Sequence, residues 1–327
     1  MRRVLPLLML VALAGCTTLS PTSSPLRLPT RIPTTPTPTP DPADVQLYYE
    51  AGLAYQEAGD AEGALQSFIW AIQLAPDFAP AYIARSTVYL AQGELSPALA
   101  DADAALKIEP ANGLAHALRG ETLRLMGRNY MAFEAFDQAL ELDLTLKPET
   151  FRSRWLAARA ARHEDRLLEL SREYAIAHPN DPLRRYYRGW ALIEEGNPRA
   201  AIYSLIEGIE STNDPPALFW FALGHAYSAH SSWQEALACF ETTRTLVQAG
   251  DTSLVAHSDQ PIGDLFGALG RAYLSVGRCV DAEVMLDYAI AVGAPVSECA
   301  PVLEEARICQ TPSPTPTPYP TTTPSRD

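Results

Sequence analysis

The sequence lacks the residue spacings that metal sites and catalytic centres of proteins most often use. Its five cysteines form no C-x-x-C unit, and its six histidines include no pair at the i,i+4 spacing of a helical zinc motif. It also has no G-x-S-x-G nucleophile turn and no glycine-rich phosphate loop after a strand. We therefore expect a protein that is not an enzyme and that holds no metal or cofactor.

The hydrophobic run near the N-terminus is too short to span a bilayer. Residues 4–14 are apolar and follow Arg2 and Arg3. A short apolar run behind a basic start is typical of a secretory signal. This arrangement predicts a cleaved signal peptide over residues 1–15 and argues against a transmembrane helix.

The next residues carry a more specific signal. Leu13, Ala14, Gly15 and Cys16 resemble the lipobox of bacterial lipoproteins, in which the cysteine is lipidated and the signal is cut just before it. The resemblance implies several acyl chains on Cys16, because a single chain holds a protein at a membrane only weakly. It also implies a location at the cell membrane, lipid-anchored on the extracytoplasmic face. An ordinary signal peptide with a chance cysteine is the alternative.

Proline and threonine dominate both ends of the mature chain. Residues 17–44 contain eight prolines, which predicts a semi-rigid tether over 16–44 in polyproline II geometry. Residues 311–327 have the same composition. We expect a disordered tail without a partner there, and a wall-binding or glycosylated segment is the alternative.

Between these ends, small, aromatic and proline residues return every 34 residues. The first copy is Gly52, Tyr55, Gly59, Ala64, Phe68, Ala71 and Pro76, and the second is Ser86, Tyr89, Gly93, Ala98, Ala102, Ala105 and Pro110. Small residues let two helices cross closely, glycine supplies the left-handed turn between them, and proline ends the second helix. Further copies with small changes of length continue to about residue 296.

This pattern resembles the tetratricopeptide repeat (TPR), a 34-residue helix–turn–helix unit. The resemblance implies an all-α fold, a right-handed superhelix or α-solenoid of about seven repeats over residues 45–296. A capping helix is expected over 297–310 and an insertion loop near 248–262. The fourth repeat is degenerate, because aligning Pro179 as its last residue puts Trp155 where the family has a small residue. Either the two helices splay there or the register is off by one.

The resemblance also implies a binding surface. In this family the first helix of each repeat lines an inner groove and contacts the partner. Carried onto this sequence, the groove contains Tyr49, Arg124, Phe151, Arg152, Trp155, Arg159, Tyr186, Trp190 and Phe221. Tyrosine, tryptophan and arginine often dominate interfaces, although packing of each aromatic residue between helices is the alternative. The only lysines are Lys107 and Lys147, so the family's clamp for a C-terminal carboxylate is not expected.

Charge is distributed unevenly along a chain whose formal net charge is −14. Residues 147–188 carry 10 basic and 6 acidic groups, whereas residues 45–146 carry 5 and 14 and residues 189–309 carry 5 and 16. The acidic majority repels phosphate, so nucleic acid is not expected as a partner. The basic band could instead attract an acidic peptide or an anionic wall polymer.

Four cysteines remain besides Cys16, namely Cys239, Cys279, Cys299 and Cys309. An even number in an exported chain permits disulfides, with three possible connectivities. If residues 298–309 form a helix antiparallel to the one that starts near Cys279, then Cys279 and Cys309 lie side by side and can pair. Four buried free thiols are the alternative.

Two functions fit these features. The first is a membrane-anchored lipoprotein that acts as a protein-interaction scaffold or adaptor in the cell envelope and captures a protein or peptide in its concave groove. The second is a binder of a small anionic ligand or glycan that hands it to a transporter. A deep apolar pocket closed by the loop 248–263 would favour the second function, and an open groove would favour the first.

Overall fold

The computed structural model describes residues 42–256 and 258–310, which form helices joined by short connections, with no strand in those ranges. The all-α class predicted from sequence is confirmed. Cys16, the signal peptide, most of the tether and the tail from residue 311 lie outside the described residues. The expectations about them remain predictions.

The chain divides into two units, one ending at Arg166 and the other beginning at Leu167. The first unit contains α1 (Pro42–Glu57), α2 (Ala61–Leu74), α3 (Ala79–Ala91), α4 (Leu95–Ile108), α5 (Gly113–Leu125), α6 (Asn129–Leu142) and α7 (Lys147–Ala160). The division falls inside α8 (Glu164–Ala177), after which come α9 (Leu183–Glu194), α10 (Pro198–Glu210), α11 (Ala217–Ala229), α12 (Trp233–Gln248), α13 (Pro261–Ser275), α14 (Cys279–Ala291) and α15 (Val296–Gln310). Helices α1 to α6 form three consecutive hairpins in the first unit, and α9 to α14 form three more in the second. Helix α1 overlaps the last three residues of the expected tether, 42–44, and a proline such as Pro42 is favoured in a first helical turn.

A left-handed residue forms each hairpin turn and fixes the register of each repeat. Five of the turns use glycine, for example Gly59 with φ 78°, but the fourth uses Arg162 with φ 51° and the sixth uses Ser231 with φ 64°. Arg162 follows Trp155 by seven residues, the spacing that separates Gly59 from Gly52. The turn at Arg162 therefore agrees in spacing with the register that puts Trp155 at the position of the small residue.

Close helix crossings hold the hairpins together. A Cβ atom on Gly52 would lie 2.4 Å from Phe68, and one on Gly189 would lie 2.6 Å from Leu205, so only glycine fits opposite these large side chains. Each large residue follows its glycine by sixteen positions. In the fourth repeat the large residue comes first in the sequence. Trp155 stands where the other repeats have a small residue, and Ser171, sixteen positions later, stands where they have a large one. Both residues are buried.

Helix α15 is fastened to α14 at one end. Cys279 and Cys309 form a disulfide with their Cα atoms 6.0 Å apart, the pair expected for two antiparallel helices. Near this bond Arg307 donates to Glu283 at 2.9 Å, and the Gln310 amide donates to the same carboxylate at 2.8 Å. The last helix is thus held by one covalent bond and a charged cluster.

The connection between α12 and α13 is anchored to α11 and is not a plain loop. Ser253–Ala256 is a 3₁₀ turn. The Asp251 carboxylate accepts hydrogen bonds from the backbone N–H groups of Ala217 at 2.8 Å and Ser253 at 2.7 Å, which satisfies a donor at the start of α11. Burial acts to raise the pKa of Asp251, but these hydrogen bonds and one from the Ser253 hydroxyl outweigh burial and lower the pKa. The segment therefore caps a neighbouring repeat.

Candidate functional site

Five of the nine predicted groove residues are buried, and their contact with a partner stays a prediction. The exposed fractions are 0% for Trp155, 1% for Tyr186, 3% for Phe221, 5% for Trp190 and 6% for Arg124. These side chains are part of the packed interior of each unit. The alternative raised from sequence, that the aromatic residues pack between helices, describes them better.

In the first unit Arg124 is part of a buried ion pair on α5. Its guanidinium donates to both carboxylate oxygens of Glu121, at 2.8 and 2.9 Å, and the side chains are only 4% and 10% exposed. Removing one member of a buried pair leaves an uncompensated charge, which is strongly destabilising. Arg124 therefore stabilises the repeat and has little freedom to engage a ligand.

The remaining predicted residues of the first unit are half-buried and can still be reached from solvent. They are Tyr49, Phe151, Arg152 and Arg159. The Tyr49 ring packs against Phe68 and Phe78, and burial raises the pKa of its hydroxyl. The role of these four residues in binding stays a prediction.

In the second unit a cluster of rings surrounds His225 on α11. The His225 ring lies 4.6 Å from Phe221, 5.0 Å from Trp190 and 5.2 Å from Phe240, measured between ring centroids. Trp190, Phe221 and Phe240 are buried, whereas His225 is half-buried. The cluster thus presents one polar ring at its surface and fixes that ring from three sides.

His225 also lines a small open pocket, which we name the α11–α13 pocket. Its walls are His225, Ser228, Trp233, Phe240, Ala268 and Arg271, and its volume is about 60 Å³. Pockets that enclose small-molecule ligands usually measure ~300–1,000 Å³. The α11–α13 pocket is therefore suited to one side chain of a partner and is too small to enclose a free ligand.

Arg271 gives this pocket a positive charge in an acidic part of the chain. Within the ranges that the structure describes, Arg271 forms no ion pair. The Ser228 hydroxyl donates to the Gly224 carbonyl at 2.9 Å, so its oxygen can still accept a hydrogen bond. The pocket therefore combines aromatic walls, one cation and one acceptor.

The groove register also reaches His225, four places after Phe221, but sequence reasoning missed Ser228, Trp233 and Arg271. Arg271 stands one place after the small residue Gly270, as His225 does after Gly224 and Trp190 after Gly189. Extending the same register to the seventh repeat would have found it. Trp233 begins a second helix, and the repeat pattern assigns no groove position there.

The basic band is partly neutralised within each unit. Arg166 pairs with Asp137 in the first unit, and Arg185 lies 2.5 Å from Glu207 in the second. Arg154 is buried and donates to the Lys147 carbonyl. Arg172 and Arg188 are exposed. The positive charge available to a partner is therefore smaller than the sequence count.

Neither a metal-binding cluster nor a membrane-spanning helix occurs among the described residues. No group of three or more histidine, cysteine, aspartate or glutamate side chains is arranged to hold a metal ion there. In the same part of the chain, no helix has both the length and the apolar character that crossing a membrane requires.

Consecutive helical hairpins that cross at glycine define a class, the α-helical repeat proteins. A family model described as tetratricopeptide repeat matches residues 45–78, the first hairpin. The first hairpin thus carries the tetratricopeptide repeat pattern, and later hairpins repeat its spacing of small and large residues.

Solved structures show the same fold. A tetratricopeptide repeat protein from Parabacteroides merdae has a TM-score of 0.68 at 16% identity, with 81% of this chain and 99% of that chain covered. The APC/C hetero-tetramer Cut9–Hcn1 has a TM-score of 0.51 at 17% identity, with 81% of this chain and 50% of that chain covered. No functionally curated protein matches the sequence. At these identities the likeness concerns the fold alone.

Proposed function

We propose that this protein is a lipid-anchored scaffold on the extracytoplasmic face of the membrane that captures a segment of a partner protein in the groove of its repeats. The observation that carries the proposal is the α11–α13 pocket, in which aromatic walls, Ser228 and Arg271 meet at groove positions. A partner side chain that enters the pocket would be enclosed by aromatic rings and could accept a hydrogen bond from the Arg271 guanidinium. Such anchors are the contacts that dominate most interfaces.

The small-ligand alternative is less well supported. It requires a deep apolar pocket closed by the segment 248–263. The α11–α13 pocket is small and has its walls on α11, α12 and α13. In the segment 248–263, Asp251 and Ser253 are engaged with the start of α11.

The disulfide supports the extracytoplasmic location. Structural disulfides form and persist in oxidising compartments outside the cytoplasm. The bond between Cys279 and Cys309 agrees with export by the predicted signal and with lipidation of Cys16.

Replacing Cys16 by serine tests the anchor. We expect the variant to move almost entirely from the membrane fraction to the soluble fraction, because its thiol is the predicted site of acylation. Fractionation with mass spectrometry of the N-terminal peptide measures both location and lipid. Cys239→Ser, at a buried free cysteine, is the control and should stay in the membrane. Equal membrane retention of Cys16→Ser would exclude lipid anchoring through Cys16.

Reversing one charge tests partner capture. We expect Arg271→Glu to reduce at least tenfold the amount of a specific partner that is crosslinked to the protein in its native envelope, because the pocket loses its cation. Arg172→Glu is the matched control, since Arg172 lies exposed on α8 of the same unit. Quantitative mass spectrometry of the crosslinked material gives the comparison. If both variants recover the same partners in the same amounts, the pocket is not the anchor.

A further inference from the structure

The second helix of the last repeat exposes an apolar surface that no other repeat shares. Val280, Val284 and Tyr288 follow one another at i, i+4 and i+8 on α14, and their exposed fractions are 63%, 54% and 47%. We name these three residues the apolar stripe. A helix buries residues at this spacing on one face when something packs against it.

The other six repeats show what these positions normally hold. The corresponding residues are Glu62, Gln66 and Trp70; Ser96, Ala100 and Ala104; Tyr130, Glu134 and Gln138; Asp165, Glu169 and Glu173; Arg199, Tyr203 and Glu207; and Gln234, Ala238 and Thr242. Each of these sets contains at least one polar or charged residue. The stripe therefore departs from the repeat pattern, and contiguous exposed apolar surface usually marks a contact.

The disulfide and the side chain of Gln310 fix the end of α15 against the start of α14. Cys309 is bonded to Cys279, directly before Val280, and the Gln310 amide donates to Glu283, directly before Val284. Gln310, the last described residue, therefore lies beside the N-terminal end of the stripe. The tail that begins there is the segment closest in sequence to the uncovered surface.

The tail also has suitable length and chemistry. From Val280 to Val284 and on to Tyr288 the stripe rises by eight residue steps of helix, about 12 Å at ~1.5 Å per residue. Residues 311–327 would reach about 50 Å if extended in polyproline II geometry at ~3.1 Å per residue. Residues 311–325 carry no charge and include six prolines and Tyr319. Proline-rich segments lose little conformational entropy when they dock, and proline rings pack on apolar and aromatic surfaces.

We propose that residues 311–327 turn back at the end of α15 and cover the apolar stripe of α14. Reversal is needed because α15 runs antiparallel to α14, and the Thr311-Pro312-Ser313-Pro314 sequence supplies turn residues directly after Gln310. A second copy of the chain is a poorer occupant. It would bring another strongly acidic surface, since residues 189–309 carry 16 acidic and 5 basic groups. An anionic membrane surface is disfavoured for the same reason. The proposal concerns only the chain's own tail and is independent of the proposed function.

Photo-crosslinking in the full chain identifies the occupant. With p-benzoylphenylalanine in place of Val284, we expect an intramolecular crosslink to a peptide within residues 311–327, found by mass spectrometry in protein that stays monomeric. The same group in place of Ala238, the corresponding residue of α12, should give no crosslink to the tail. A crosslinked dimer, a lipid adduct, or equal tail crosslinking from both positions would overturn the proposal.

Footprinting without a bulky probe gives a second measurement. We expect the side chains of Val280, Val284 and Tyr288 to be labelled at least twofold less in the full chain than in a chain that ends at Gln310. Labelling of Tyr203, which is 75% exposed on α10, should be the same in both. Equal labelling of the stripe in the two chains would also overturn the proposal.

Discussion

Replacing both Cys279 and Cys309 by serine is expected to lower the free energy of unfolding of the C-terminal repeats by about 3 to 4 kcal/mol. The bond closes a segment with a sequence separation of 30, and a cross-link of that length removes much of the freedom of the unfolded chain. The effect should concentrate in α15. That helix buries only Cys299, Leu303 and Ala306, so the disulfide provides much of its attachment.

Guanidinium unfolding followed by hydrogen exchange measures this effect, with α15 amides exchanging faster in the variant. Wild-type protein with and without a thiol reductant is the control, because reduction should reproduce the double substitution and have no effect on the variant. The two free cysteines, Cys239 and Cys299, should interfere little with this comparison of oxidised and reduced protein. Burial, with a smaller contribution from Glu235, raises the pKa of Cys239 to about 12, and burial also raises the pKa of Cys299. If the oxidised wild type and the double variant unfold at the same guanidinium concentration, the bond does not fasten α15.

The repeat period predicted the packing inside each hairpin because that packing depends on pairs at a fixed separation. Gly52 and Phe68 stand sixteen residues apart and meet where two helices cross, so a small residue in one copy requires a large one at the same distance. The left-handed turns at Arg162 and Ser231 could not be predicted from the repeat pattern, because neither residue is the glycine that the pattern places there. Both residue types adopt that conformation only when the surrounding hairpin imposes it.

The candidate site was less predictable, because register fixes the direction of a side chain but not what encloses it. Tyr186 and Trp190 occupy groove positions, yet both pack against other rings. The distance between ring centroids is 6.1 Å from Tyr186 to Phe219 and 5.0 Å from Trp190 to His225. Large residues at adjacent positions cover one another, so their own size removes them from the surface. The accessible groups next to them, such as Arg271, are recognised only when neighbouring repeats are compared in space.

The second large effect follows from the same crossings and concerns the sign of a glycine-to-alanine substitution. In an open helix interior alanine is more favourable than glycine by about 1 kcal/mol. At Gly224 the added Cβ would lie 2.5 Å from Phe240 Cε1 and 2.7 Å from its Cδ1. Phe240 is 1% exposed and packs against the rings of Phe221 and His225, so its ring can withdraw only toward the α11–α13 pocket and only by disturbing those contacts. We expect Gly224→Ala to destabilise the second unit by about 1 to 3 kcal/mol.

Gly267→Ala is the matched control, because an added Cβ there would meet its nearest neighbours, Arg271 and Cys299, at an ordinary 3.7 Å. We expect that substitution to be neutral or to stabilise the protein by up to about 1 kcal/mol, so the two variants should shift the denaturation midpoint in opposite directions. Phe240 also forms a wall of the α11–α13 pocket. A displaced Phe240 ring would enter that pocket, and Gly224→Ala should therefore weaken partner crosslinking at concentrations where the protein is still folded. If Gly224→Ala is as stable as the wild type or more stable, the crossing of α11 and α12 tolerates a methyl group, and the packing that shapes the pocket is softer than the distances imply.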